Sequence, residues 1–329
     1  MHIKSSSLPW QSGLIVAALF TLFVFGMTAC SNDDDDNTPA TANIAELVAT
    51  NAQFTLLNAA LARAGLDATL RQAGPFTVFA PTDDAFRAAG FANAAAVTAA
   101  DQNTLRNILL YHVVGGSVPA SAINTGQTAQ PTSLSANGTV YISKAASTSG
   151  TSTGVSVNGA RVVQADVAAS NGVIHVIDKV LLPPTGSILA VVQADTSLSL
   201  LTAAALRGGT AVTGALSNTA TALTVFAPTN AAFRATSFSS VAAITAAPEA
   251  ALANILTYHV IPLARAYSPT LTNGAVVTTF QTGTVTVGVS STAVTVTGRG
   301  NGGNPSRVTT ADINATNGVV HKIDRVLLP

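Results

Sequence analysis

The sequence predicts an α+β protein built as two tandem copies of one module, each with a helical N-terminal part followed by a β-rich part. Three motifs return in the same order. TVFAPTDDAF at residues 77–86 comes back as TVFAPTNAAF at 224–233, NILLYHVV at 107–114 as NILTYHVI at 254–261, and NGVIHVIDKVLLP at 171–183 as NGVVHKIDRVLLP at 317–329. The offsets of 147, 147 and 146 residues are too long for a solenoid unit and suit an independently folding domain, which places the copies at 43–184 and 185–329. Within each copy the apolar spacing is helical at first and strand-like later.

Ahead of the copies, Lys4 gives a thin charged start, residues 14–27 form an apolar run, and Met27-Thr28-Ala29-Cys30 sets small residues immediately before the single cysteine. This pattern predicts a secretory signal over residues 1–29 ending in a lipobox, with the Cys30 thiol as the nucleophile that takes the diacylglycerol. The run is shorter than the roughly 20 residues a bilayer-spanning helix needs, which disfavours an uncleaved anchor. Asp33, Asp34, Asp35 and Asp36 follow in succession. Like charges repel and bury nothing, so residues 30–42 read as a disordered acidic tether. The run also resembles the acidic export signal of bacterial surface lipoproteins. The expected location is therefore the outer membrane, exposed at the surface, with the periplasmic face as the alternative.

In the first copy Ile44, Leu47, Val48, Phe54, Leu57 and Leu61 trace one helix face with a turn near Thr50 and Asn51; Ile188, Val191, Val192, Leu198 and Leu201 repeat it. TVFA then reads as a strand ended by Pro81 or Pro228, after which Thr82 or Thr229 offers an N-cap for the segment holding Phe86 or Phe233. Asp83 and Asp84 fall at that helix start, where they favour the dipole. The second copy has Asn230 and Ala231 there, so a carboxylate pair cannot serve both copies. Strands are expected at 139–143, 154–157 and 172–182, and at 276–280, 284–289, 293–297 and 318–328. Loops rich in Gly, Ser, Thr and Asn are expected at 147–153 and 298–306. The link Pro183-Pro184-Thr185-Gly186 is short enough to hold the copies close.

Only 9% of residues are charged, and the copies carry seven basic against seven acidic residues and seven against four, too few for a nucleic-acid surface. His112 and His259 follow Tyr111 and Tyr258 at a helix end, while His175 and His321 lie in the closing strand near Asp178 and Asp324. Residues three apart on a strand face opposite ways, so His175 and Asp178 do not converge from the strand alone. HExxH, phosphate-loop and paired-cysteine patterns are missing from the sequence. No catalytic residue, metal or cofactor is expected. The histidines read as hydrogen-bonded structural groups, and the two aspartates as partners of a backbone donor or a nearby arginine.

The series TVFAPT(D/N)xAF, a helix ending in YHV, and NGVIHxIDxVLLP resembles the fasciclin domain, an α+β module of cell-surface and matrix proteins. It covers residues 43–183 and 186–329. The resemblance implies a helical part packed on a β-sandwich or wedge, and a cell-surface or matrix protein or polysaccharide as partner. Tyr111 and Tyr258, with the loops 115–119 and 262–267, are candidate contacts; core packing is the competing role for both rings. The leading function is a lipid-anchored adhesion or matrix-binding protein in which two modules raise avidity. Its rival is a periplasmic envelope lipoprotein with a structural role and no external ligand.

Overall fold

The computed structural model describes residues 42–145 and 153–329. The signal, Cys30, Asp33, Asp34, Asp35, Asp36 and most of the loop 147–153 lie outside the described residues. The first copy runs α1 (Ile44–Thr50), α2 (Thr55–Ala64), α3 (Asp67–Leu70), β1 (Phe76–Pro81), α4 (Asp83–Ala88), α5 (Ala94–Ala99), α6 (Gln102–Tyr111), β2 (Val113–Gly115), β3 (Gly126–Pro131), β4 (Thr139–Lys144), β5 (Val155–Val157), β6 (Ala160–Ala169) and β7 (Gly172–Ile177). The second runs α7 (Ile188–Ala194), α8 (Ser199–Arg207), α9 (Gly209–Ser217), β8 (Leu223–Pro228), α10 (Asn230–Arg234), α11 (Val241–Ala246), α12 (Glu249–Tyr258), β9 (Val260–Pro262), β10 (Val276–Thr278), β11 (Thr284–Val289), β12 (Val294–Gly298), β13 (Ser306–Ala315) and β14 (Gly318–Ile323).

Each copy folds one seven-stranded sheet, ordered β2-β1-β7-β6-β5-β4-β3 in the first and β9-β8-β14-β13-β12-β11-β10 in the second. The pairs β1–β7 and β8–β14 are parallel; the others are antiparallel. The sheet curls until its two ends meet. Ser133 N–H donates to Val113 O at 2.7 Å, and Phe280 N–H donates to Val260 O at 2.7 Å. Alternation along β1 then gives each copy two cores. Val78 and Ala80 join Ile174 and Val176 against the helices, while Phe79 and Ile177 face the inside of the curl with Tyr111, Val140, Ile142 and Val157. Burying a side chain of this size contributes about 1.5–3 kcal/mol, so both faces of β1 are held.

Asn171 and Asn317 join helices to sheet. Asn171 Oδ1 accepts from Ile44 N–H at 3.0 Å, and its Nδ2 donates to Leu70 O and Gln72 O. Asn317 makes the same three bonds to Ile188, Leu216 and Asn218. The next residue must be glycine: a Cβ on Gly172 would stand 2.0 Å from Phe76 O, and one on Gly318 would stand 2.1 Å from Leu223 O.

Thr82 and Thr229 cap α4 and α10, their Oγ1 atoms accepting from Ala85 and Ala232 N–H at 3.2 and 3.3 Å. The acidic pair beside Thr82 separates. Asp84 is exposed and pairs with Arg87, whereas Asp83 is buried and turns away to α2, accepting from Leu56 N–H at 2.8 Å and from the Thr55 hydroxyl. Asn230 makes the same contact, its Oδ1 accepting from Leu200 N–H at 2.9 Å. An amide serves there because the bond is accepted by one oxygen and needs no charge.

The strand expected over 172–182 ends at Ile177, and its counterpart over 318–328 ends at Ile323. Asp178 accepts from Arg161 N–H at 2.7 Å, Asp324 accepts from Arg307 N–H at 2.7 Å, and the chain beyond leaves the sheet to meet His112 and His259. Strands β6 and β13 have weak sequence signals because bulges at Asp166 and Asp312, with φ of 58° and 65°, break the two-residue period. Strand β3 is mostly exposed and polar, formed by pairing with β4.

Replacing Asp83 by Asn should leave stability within a few tenths of a kcal/mol, while Asp83→Ala should cost about 1–2 kcal/mol by leaving the first turn of α2 uncapped. Urea unfolding of the two variants checks this; equal midpoints would contradict the capping role.

Candidate functional site

The residues singled out in the sequence are internal. Tyr111 and Tyr258 are 1% and 0% exposed, so neither ring touches a partner, and the contact expected of them is corrected to a core role. The Tyr111 hydroxyl donates to Thr139 O at 2.8 Å and that of Tyr258 to Thr284 O. Each closes the inside of its curled sheet, and burial pushes the Tyr111 phenol above its ordinary range.

The four histidines of the two copies are wired in two ways. Leu181 N–H donates to His112 Nε2 at 2.9 Å, which leaves the proton on Nδ1, donated to Ile108 O at 2.7 Å. His259 repeats this with Leu327 and Ile255. His175 has the opposite tautomer: Nδ1 accepts from Asp166 N–H, and Nε2–H donates to Val118 O at 2.9 Å. His321 does the same between Asp312 and Ala266. Both nitrogens of every ring are thus committed to backbone groups. Asp178 and Asp324 accept from backbone donors of other strands.

The concentration of unlike residues lies where the copies meet. They pack as one compact unit, and the first copy enters the second through the two-residue turn Asn158-Gly159 between β5 and β6. Both turn residues have positive φ, 45° and 83°, as a type I′ hairpin requires. Asn158 Nδ2 donates to Tyr111 Oη at 2.8 Å, while Asn158 Oδ1 accepts from Tyr141 N–H at 2.8 Å and lies 3.2 Å from the Tyr267 hydroxyl. The same hydroxyl, whose one proton the two amides share, lies 2.6 Å from Asn314 Oδ1. A buried polar chain therefore runs from Thr139 O in one copy to Asn314 in the other. Gly159 lies so close to Asp312 that a Cβ would stand 2.3 Å from its Cγ.

Around this turn three further contacts cross the seam. Lys179 Nζ meets Asp312 Oδ2 at 2.9 Å; the Asp312 side chain is 3% exposed and also accepts from Ser268 N–H and Oγ–H. Such charge-assisted bonds are stronger than neutral ones. The Arg265 guanidinium lies 4.3 Å above the Tyr141 ring and donates to Ala315, Thr316 and Gly318 carbonyls. Gln127 Nε2 donates to Arg265 O at 3.0 Å. Arg265, Tyr267 and Asn314 have Ser117, Pro119 and Ala168 as counterparts in the first copy, matched through the equivalent histidine and strand contacts. Only the second copy has the residues that receive the turn.

Beside the seam a solvent-open cleft of about 1320 Å³ runs between the ends of β3, β4 and β5 and the segment after β9. Val163 and Leu263 stand on it from the two copies; Leu263 is 80% exposed and held at φ 59°, where a leucine is rarely found. The loop 262–267, expected as a contact region, is thus split: Leu263 faces the cleft while Arg265 and Tyr267 build the seam.

Two copies of an α+β module, fastened through a buried seam, define a tandem-domain protein. The family model described as fasciclin domain matches residues 52–183 and 197–329, and the chain belongs to the fasciclin domain family, with two domains in tandem. It is 41% identical over 148 residues to Protein sll1483 of Synechocystis sp., covering 45% of this chain and 77% of that protein. It is 29% identical over 256 residues to transforming growth factor-beta-induced protein ig-h3 of Sus scrofa and 34% identical over 175 residues to periostin of Homo sapiens, covering 78% and 53% of this chain. Those matches span only 35% and 20% of the two animal proteins. A solved FAS1 domain pair from the insect cell adhesion molecule fasciclin I aligns over 82% of this chain and 92% of that one, at 22% identity and TM-score 0.40.

The buried histidines set a pH limit. Burial pushes His112 and His259 down to about 4 from an ordinary value of 6.5. Above pH 6.5 both rings are neutral whether the chain is folded or not. Between pH 6.5 and 4 the unfolded chain takes up protons the folded one refuses, so stability falls with falling pH by about 1.4 kcal/mol per pH unit for each ring. Denaturant midpoints measured across this window should fall, and a His112→Gln, His259→Gln chain should show a shallower slope. A wild-type slope no steeper than that of the double variant would contradict the assignment.

Proposed function

We propose that the chain is a lipid-anchored, surface-exposed adhesion or matrix-binding protein that presents two fasciclin domains to a cell-surface or matrix partner as one pre-oriented body. The seam is the observation that carries this reading. A flexible tandem would lose orientational freedom each time both domains engaged a partner. A pair already joined through Asn158, Tyr267 and Lys179–Asp312 loses little more, so two weak contacts act together. The link supports this, because Thr316 N–H donates to Gly186 O at 2.9 Å and ties it to the second domain. The Cys30 lipobox supplies the anchor and the Asp33–Asp36 run the outward address, with the membrane contacted through the lipid. The weakly charged surface suits short-range contacts more than long-range steering.

Protease treatment of intact cells carrying a tag after Pro329 tests the proposal. The expected result is loss of the tag together with loss of attachment to matrix-coated surfaces. A tag protected until the cells are lysed would overturn the surface role in favour of the periplasmic envelope one.

A further inference from the structure

The cleft between the domains has an unusual charge balance. Arg161, Lys144 and Arg265 line it, and among the described residues no carboxylate does. Two of these cations are satisfied by neutral groups only: Lys144 Nζ donates to Ala120 O and Ile123 O, and Arg265 donates to three carbonyls of the second domain. Carbonyl oxygens satisfy N–H donors without cancelling the charge, so the field of both cations persists at the cleft. Arg161 is exposed, and among the described residues its guanidinium has no ion-pair partner. Asp178 holds only the Arg161 backbone and is not part of the lining.

The rest of the lining narrows the ligand. Gln127, Ser143, Ser156, Thr270, Thr272 and Asn273 bring amides and hydroxyls to it. Among the described residues no aromatic ring lines the cleft, which removes the stacking platform of single-stranded nucleic-acid sites and the aromatic anchors of protein hot spots. The volume of about 1320 Å³ exceeds that of an ordinary small-molecule pocket, and the open form suits a chain passing through.

We propose that this cleft binds a segment of a carboxylated polysaccharide, with sugar carboxylates at Arg161 and Lys144 and ring hydroxyls on the amide and hydroxyl lining. Leu263 and Val163 flank the chain from the two domains. The assignment rests on the surface-binding reading above and gives it a ligand class.

The test is calorimetric titration of the full chain with polygalacturonate, with dextran as neutral polymer and polyglutamate as acidic polypeptide, at low and high salt. Polygalacturonate should bind, more weakly as salt rises, while dextran should not. Arg161→Glu should weaken binding about tenfold and Arg161→Gln by less, with circular dichroism melting unchanged because the side chain is exposed. No binding of polygalacturonate, or equal binding by Arg161→Glu, would overturn the proposal. Equal binding of polyglutamate would replace the polysaccharide with an acidic peptide, and binding of dextran would remove the charge argument. Failure of this titration with protease-sensitive attachment intact would sink the cleft assignment and leave the adhesion reading standing.

Discussion

At Asn158-Gly159 the two copies of the module stop being separate. The turn needs positive φ at both residues, a conformation open to Asn and Gly at little strain. Once formed, it presents an amide whose donor reaches Tyr111 and whose oxygen meets Tyr141 and Tyr267. These groups are buried, so each lost bond would leave a desolvated polar atom, which is costlier than a missing surface contact. The orientation of the second domain follows from that local requirement, and with it the cleft between Arg161 and Leu263.

Inside each domain the same economy of charge recurs. Neutral imidazoles and amides, which can be buried when both ends are hydrogen-bonded, fasten helices to the sheet and the sheet to its closing segment. His112 ties the end of α6 to Leu181, and Asn171 ties α1 and α3 to β7. The pattern recurs at His259 and Asn317, which shows that geometry and not the particular neighbour is being kept. Asp312, whose side chain is 3% exposed, sits at the seam, where Lys179 from the other domain meets its charge.

Much of the domain was legible in the sequence because it rests on local rules. Repeated apolar stripes mark α1, α2, α7 and α8, and the proline-threonine step marks where β1 gives way to α4. Asn317-Gly318 stood in a repeated motif, but its role as a joint depends on loops distant in sequence. Strands β6 and β13 escaped detection because a bulged aspartate resets their alternation, and β3 because an exposed polar strand carries no apolar signal. The seam was hidden for a different reason. Its residues are those in which the copies differ, such as Tyr267 against Pro119 and Asn314 against Ala168, whereas attention to a repeat falls on what the copies share. Aligning the copies and marking positions where one alone gained a large polar or aromatic side chain would have pointed to it.

The seam holds the two fasciclin domains as one body. Residual dipolar couplings on the partially aligned full chain test it most directly. One alignment tensor should fit the amides of both domains, and two distinct tensors should be needed after Gly159→Ala forces a Cβ against Asp312. Two independent tensors in the unaltered chain would contradict it.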